Sequence, residues 1–264
     1  MSRLAVVGLV SLDRVDGGLP RLGGAPTHAA RALRVLQHPA VLATKLAPED
    51  RPRLAALRTR VAWRPASRTI AFEIENVGDR RSLRLGEAGA SWTTEDATGW
   101  LRTELSRAEW VHAGALTRAD FPAETLAALR RGRRLSLDAQ GLVRPAESGE
   151  VRLDSEYDPE VLRHVDVLKL SREEADALGL GTDERSLGSI GVPEVVLTLG
   201  REGAVVYADG LAEHVPTRAL DGVEPTGAGD VFMTAYASYR LRRHGPRSAA
   251  HLANAAAHAL LLAR

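Results

Sequence analysis

Val223-Glu224-Pro225-Thr226-Gly227-Ala228-Gly229-Asp230-Val231-Phe232 joins a pair of glycines to a carboxylate at the point where a helix is about to begin. Two glycines flanking an alanine let the backbone turn sharply and present successive N–H groups to an anion with no side chain in the way. Val231, Phe232, Ala235, Tyr236 and Tyr239 follow at helical spacing, and His244-Gly245-Pro246 supplies a stop. The turn therefore sits at a helix N-terminus, where phosphate binds best. Asp230 would repel that phosphate unless it handles the proton of an attacking hydroxyl, so the stretch reads as an anion hole plus a base. A Gly-rich helix start with Asp230 as an ordinary capping residue explains the same letters and stays open. Two other Gly-rich motifs are excluded, because the Lys-Ser/Thr of a P-loop is missing and Met233 stands where a dinucleotide fingerprint needs a small residue.

Pro225-Thr226-Gly227-Ala228-Gly229-Asp230 resembles the C-terminal signature of the ribokinase-like, phosphofructokinase-B-type sugar kinases. The resemblance implies that Asp230 is the catalytic base and that Gly227, Ala228 and Gly229 form the anion hole. It also implies an α/β fold, with a mostly parallel central sheet flanked by helices and a small β-sheet lid. ATP and Mg²⁺ are the cofactors expected with it.

Composition sets the outer bounds. The 264 residues are enough for a full core and read as a single domain over 1–264, and a formal charge of +1 gives no field favouring nucleic acid or an anionic membrane. Lys45 and Lys169 are the only lysines beside abundant arginine, and the chain has no cysteine, which excludes disulfides and thiolate chemistry. No apolar run reaches the ~20 residues of a membrane span, and the opening Met-Ser-Arg-Leu-Ala-Val-Val-Gly reads as a first strand. A soluble cytoplasmic protein is the expectation.

Leu4–Val7 is apolar and ends at Gly8, as a buried first strand would, and Asp13 follows just beyond it, where ligands of open α/β sheets collect. Gly8-Leu9-Val10-Ser11-Leu12-Asp13 is similar to the family's first motif, whose aspartate grips sugar hydroxyls. Gly23-Gly24-Ala25-Pro26-Thr27-His28 predicts a tight turn, then a helix to about Leu36. The family's Gly-Gly turn precedes a substrate-touching asparagine. Here His28 holds that place, exchanging a neutral amide for a group that titrates near neutrality.

A strand is expected near Ala40–Thr44. Thr69–Glu75 and Arg81–Leu85 then alternate around Asn76-Val77-Gly78-Asp79, predicting a hairpin with one face open. A β-lid formed by about 12–19 and 61–92 is the favoured reading, with an edge hairpin of the main sheet as its rival. In several members of the family such a lid doubles as a homodimer interface. From about Glu109 strands and helices alternate, which implies right-handed crossovers and a mostly parallel sheet.

Asp138-Ala139-Gln140-Gly141-Leu142-Val143-Arg144 leaves a strand with an acid, an amide and a cation, and an unremarkable loop would look much the same; it is similar to the loop of inositol kinases and related archaeal sugar or nucleoside kinases, and that resemblance makes Gln140 and Arg144 the expected substrate contacts. Ser171 with Glu174 makes a capping box. The family's Asn-x-x-Glu motif falls on the same residues, so the resemblance implies that Glu174 organises the water shell of Mg²⁺. Thr198-Leu199-Gly200-Arg201-Glu202-Gly203 brackets a tight turn that suits a plain hairpin equally well. By resemblance, Thr198, Gly200, Gly203 and Thr226 border the nucleotide, and Asn254, the only amide in a run of alanines, approaches its adenine or ribose. His251 and His258 lie seven apart with no third ligand, so no metal is assigned to them.

The leading reading is an ATP-dependent kinase acting on a hydroxyl of a sugar or polyol, inositol-like or a related carbohydrate. A nucleoside kinase of the same family and a non-catalytic metabolite binder stay open. The latter is kept alive by His28 and by Glu224, which stands where the family has aspartate.

Overall fold

The computed structural model describes residues 3–77, 80–218 and 226–262; Gly78 and Asp79 of the expected turn, and Val223, Glu224 and Pro225, lie outside them. The chain runs through β1 (Arg3–Gly8), β2 (Ser11–Val15), β3 (Arg21–Gly23), α1 (Ala25–Leu36), β4 (Ala40–Leu46), a 3₁₀ helix (Pro48–Leu57), β5 (Val61–Pro65), β6 (Ile70–Val77), β7 (Arg80–Glu87), α2 (Thr94–Thr98), α3 (Trp100–Glu104) and β8 (Ala108–Gly114). It continues through α4 (Ala123–Arg130), β9 (Arg134–Asp138), α5 (Gln140–Val143), β10 (Gly149–Glu150), a 3₁₀ helix (Pro159–His164), β11 (Val167–Ser171), α6 (Arg172–Ala177), α7 (Glu184–Ser189) and β12 (Glu194–Thr198). A 3₁₀ turn (Gly200–Glu202), β13 (Ala204–Ala208), β14 (Leu211–Val215), α8 (Ala228–Leu241) and α9 (Pro246–Leu262) follow.

Nine strands form the main sheet in the order β14-β13-β12-β11-β9-β8-β1-β4-β5. All neighbours are parallel except the β12–β13 and β13–β14 pairs at one edge. Apolar residues bury both faces of this sheet: Leu4 and Val6 of β1 face α1, α8 and α9, while Ala5 and Val7 join the cluster on the opposite side. Strand order reverses at β1, with β4 on one side and β8 on the other, so the crevice beyond Gly8 and Gly114 is the natural ligand position. At that end the chains crowd, because a Cβ on Gly114 would run into the Ala25 methyl at the start of α1.

A second sheet has the order β10-β7-β6-β2-β3. The expected hairpin is present as β6 and β7, paired antiparallel from Ala71↔Glu87 to Val77↔Arg80, and it belongs to this second sheet rather than to an edge of the main one. The boundary expected for the lid is corrected at one point. Residues 61–65 form β5, which pairs with β4 in the main sheet, so in this segment the second sheet begins only at Ile70. The reason is readable in retrospect, since Val61-Ala62-Trp63 packs beside buried Leu42 and Ala43 of β4 while the alternating segment starts later. Within the second sheet Phe72, Ile74 and Leu85 are buried and Arg14, Glu73, Glu75 and Arg84 are exposed, so one face is apolar and the other charged.

Candidate active site

Glycine chemistry builds the turn before α8. Gly227 has φ 77°, the left-handed region that costs an L-residue roughly 1–2 kcal/mol, and the His28 imidazole lies so close that any Cβ on Gly227 would overlap its ring. Gly229 has an ordinary helical place, but a Cβ there would stand 3.1 Å from Lys169 Nζ. The turn is thus pressed between an imidazole on one side and an ammonium on the other. Gly227→Ala is expected to cost about 1–3 kcal/mol, read as a lower urea midpoint at unchanged slope, and to depress turnover by displacing His28.

Asp230 stands in the first turn of α8 with its side chain 18 % exposed, and its Oδ2 is 4.0 Å from His28 Nε2. Burial, followed by repulsion from Asp138, pushes its carboxyl up to about 7, against the opposing pull of Lys169 and His112. A base poised near neutrality is the condition under which proton abstraction is efficient.

Under the turn lies a buried charge cluster. Asp138, at the end of β9, has Oδ2 3.3 Å from His112 Nε2 and Oδ1 3.4 Å from Lys169 Nζ, and all three side chains are almost fully enclosed. Burial opposes the ionisation of Asp138, but the charges of Lys169 and His112 outweigh it and hold the carboxyl down at about 2. The same carboxylates keep Lys169 charged, raising its pKa despite burial. Ser136 Oγ accepts from Trp110 Nε1 at 2.8 Å and lies 3.1 Å from His112 Nδ1, which fixes the imidazole. Asp138 is therefore engaged with the cluster, while its Oδ1 has no hydrogen-bond partner among the described residues. His112 and Lys169 were not singled out from the sequence. The available signal was compositional, since one of only two lysines falls inside the apolar strand Val167-Leu168-Lys169-Leu170.

The residues expected to meet the acceptor lie on the other side. Asp13 of β2 lies against the Gly-Gly turn, where a Cβ on Gly23 would overlap its carboxylate, and Gly24 at φ 81° is crowded by the Leu9 carbonyl. Burial raises the pKa of Asp13, with Ser11, His28 and Arg144 pulling the other way. Its Oδ1 is buried without a hydrogen-bond partner, an orphaned acceptor waiting for a donor such as a ligand hydroxyl. Asp13, Thr27, His28 and Thr226 line one cleft of about 930 Å³. Arg144, just past α5, donates to the Leu116 carbonyl at 3.2 Å and stacks 5.6 Å from the Phe72 ring, so it ties the main body to the second sheet. Gln140 is half-buried at the first position of α5.

Glu174 is buried in the expected capping box, its Oε2 accepting from Ser171 N–H at 2.7 Å while Ser171 Oγ accepts from Glu174 N–H at 3.2 Å. No group of three ligating side chains exists among the described residues. Glu174 has one carboxylate oxygen engaged in that cap, which fits the place expected for it behind the water of a bound cation.

The remaining expected residues have structural duties. Thr198 Oγ1 donates to the Leu170 carbonyl at 3.0 Å. Gly200 and Gly203 bound the β12–β13 turn at φ 56° and 98°, and a Cβ on Gly203 would strike the Val215 carbonyl, so hairpin packing alone accounts for that glycine. Asn254 is buried on α9, and its Nδ2 donates to the carbonyls of Val215 at 3.1 Å and Pro216 at 3.4 Å. Its amide clamps the end of β14. His258 Nδ1 lies 3.2 Å from the Arg218 carbonyl.

Comparison with known proteins places the fold and the family. Inositol 3-kinase of Zea mays is 35 % identical over 130 residues, 48 % of this chain and 33 % of that enzyme, so the match spans only about a third of the relative's length. A solved pyrophosphate-dependent kinase in the ribokinase family, complexed with a pyrophosphate analog and myo-inositol, superposes with a TM-score of 0.84 at 25 % identity, covering 98 % of this chain and 95 % of that one. Ribokinase of Arabidopsis thaliana, complexed with ribose and ATP, shares the fold with a TM-score of 0.73 at 19 % identity, over 97 % and 92 % of the two chains. Asp13 and the Gly-Gly turn precede the region matched by the family profile, but the whole Gly-Ala-Gly-Asp site lies within it. With residues 59–264 matching as pfkB family carbohydrate kinase, the chain belongs to that family.

Proposed function

We propose that this protein is a phosphotransferase moving a phosphoryl group onto a hydroxyl of an inositol-like polyol or related carbohydrate. The observation that carries this reading is Asp230, raised to about 7 beside the amides of Gly227, Ala228 and Gly229 and facing the cleft residue His28. Asp13 and Arg144 orient the acceptor, Asp230 takes the hydroxyl proton as the new O–P bond forms, and the turn amides hold the charge gathering on the transferring group. Mg²⁺, when bound, would supply charge neutralisation between phosphate oxygens, with Glu174 steering its water. The second sheet serves as the lid that keeps water from competing with the acceptor.

ATP is the donor that the sequence resemblance implies. A second reading, pyrophosphate, is supported by two observations. The superposing inositol-binding kinase is pyrophosphate-dependent, and Asn254, the residue expected to meet a nucleoside, is committed to the Val215 and Pro216 carbonyls. Transfer from pyrophosphate needs no nucleoside pocket, and Lys169 beside Gly229 is the cationic support it would use. Product analysis decides between them. With myo-inositol, related polyols, sugars and nucleosides as acceptors, pyrophosphate is expected to yield phosphorylated acceptor and one inorganic phosphate, and ATP to yield little ADP. Preferred release of ADP reverses the donor assignment, and turnover of nucleosides alone reverses the acceptor class. Light scattering across a concentration series tests whether the second sheet pairs two copies; its charged outer face favours a monomer.

A further inference from the structure

His28 places an imidazole between two carboxylates. Its side chain is buried in the first turn of α1, its Nε2 lies 4.0 Å from Asp230 Oδ2 of α8, and it lines the cleft together with Asp13 of β2. Asp13 is within electrostatic reach of both, the imidazole drawing its pKa down and Asp230 raising it. The other charged groups around the imidazole are cations. Arg21 of β3, Arg31 of α1 and Arg53 of the first 3₁₀ helix line the same cleft, Arg53 paired with Asp50, and Lys169 of β11 lies beyond the turn against Gly229. A gap of 4.0 Å is too long for a hydrogen bond, yet one hydroxyl oxygen about 2.8 Å from each group spans it.

We propose that His28 is a proton relay: the attacking hydroxyl lies between His28 Nε2 and Asp230 Oδ2, and the proton that Asp230 removes passes on to the imidazole and from there to water in the cleft. The transfer balances without a further reactant. The acceptor O–H and one O–P bond of the donor break, one O–P bond to the acceptor forms, and the proton moves from the hydroxyl to Oδ2 and then to Nε2. As the phosphorylated oxygen leaves the gap, a rotation of the Asp230 side chain brings carboxyl and imidazole into contact. An imidazolium flanked by Asp230 and Asp13 is stabilised by both carboxylates, so the proton settles there and Asp230 returns to the ionised form that the next turnover needs. Behind the turn, the side chains of Asp138, His112 and Lys169 are almost fully enclosed and open no path to solvent. The Asp230 side chain is 18 % exposed in the open cleft, but acceptor and donor cover it once they fill the site, and His28 then leads back to the cleft. An asparagine in this place would bind a hydroxyl and carry no proton.

This inference rests on the phosphotransferase reading, and the experiment separates their failures. Steady-state rates are measured for the wild-type protein and for His28→Asn, His28→Gln and His28→Ala, each checked for an unchanged unfolding midpoint, with Asp230→Asn as the blank. His28→Asn and His28→Gln keep a polar side chain that cannot carry a proton, so each should lose about 10- to 100-fold in kcat while the acceptor KM changes by less than about threefold. Added imidazole should raise kcat of His28→Ala at least about fivefold and leave the wild-type rate unchanged, the free base taking the proton in place of the missing side chain. Pyrazole, of the same size and far less basic, should give no rescue. Near-normal kcat in His28→Asn and His28→Gln overturns the relay, as does a rise confined to the acceptor KM, which makes His28 a binding contact alone. Equal rescue by imidazole and pyrazole, or none by either, also overturns it, and each of these results leaves the phosphotransferase reading standing. Wild-type rates no higher than the blank with every acceptor and donor overturn both.

Discussion

Asp230→Asn is expected to lower turnover by roughly 10²–10⁴ while leaving donor affinity near the wild-type value, because the amide keeps the shape of the turn and loses only the proton acceptor. Single-turnover rates and isothermal titration with pyrophosphate or ATP check the two halves separately. Near-normal turnover in the variant removes Asp230 from the role of base. In the wild-type protein kcat/KM should climb with pH through about 7, where the carboxyl ionises. The same group makes an opposite contribution to stability. Its folded pKa lies above the ordinary value of 3.8, so its ionisation is held back by the fold. The resulting cost is absent below about pH 4, grows between about 4 and 7, and is complete above 7, where it amounts to a few kcal/mol. Asp230→Asn should therefore melt higher than wild type at pH 8, and the gap should close as the pH falls towards 4. Differential scanning calorimetry at the two pH values reads this directly.

Lys169→Met is expected to be the most damaging substitution outside the turn. It leaves Asp138 enclosed with only His112 for compensation, and removing one partner of a buried pair costs about 3–5 kcal/mol. For a chain of this size that is a drop of roughly 6–20 °C in melting temperature. It also removes the positive charge 3.1 Å from the position a Gly229 side chain would take, directly beneath the turn proposed to bind the donor. Donor KM should rise as well as stability fall. Asp138→Asn provides a readout that a merely structural role would not move. Asp138 is the leading charge holding Asp230 up, so its neutralisation should shift the acidic limb of the kcat/KM profile to lower pH. An unmoved limb would mean that the cluster does not tune the base.

The periodic elements were legible in the sequence because their patterning is local. The strand before Gly8, the helix through His28, the β6–β7 hairpin and α8 all follow from runs of a few residues. The capping box at Ser171 and Glu174 was legible for the same reason, as was the Gly-Ala-Gly-Asp turn. What escaped depended on contacts between distant segments. His112, Asp138 and Lys169 sit on three strands that become neighbours only in the sheet order β8-β9-β11, and nothing local marks them as one cluster. Asn254 shows the same dependence, since its solitary amide among alanines serves carbonyls at the far end of β14, dozens of residues upstream, a contact that no local pattern marks. The placement of Val61–Pro65 failed because β5 is an edge strand, half exposed like a strand of a lid, and only its pairing with β4 distinguishes the two.

The parallel pairing of β2 with β6 also constrains the order in which the chain can assemble. Ser11 meets Ile70 across a segment that holds α1, β4 and β5, so this contact closes a long loop whose entropy must be met before that pair of strands gains anything. The edge of β2 that faces β6 is consequently expected to gain protection from hydrogen exchange later than the edge that faces β3, which lies only a few residues away along the chain. A pulse-labelling experiment would see the two edges of this strand as successive events.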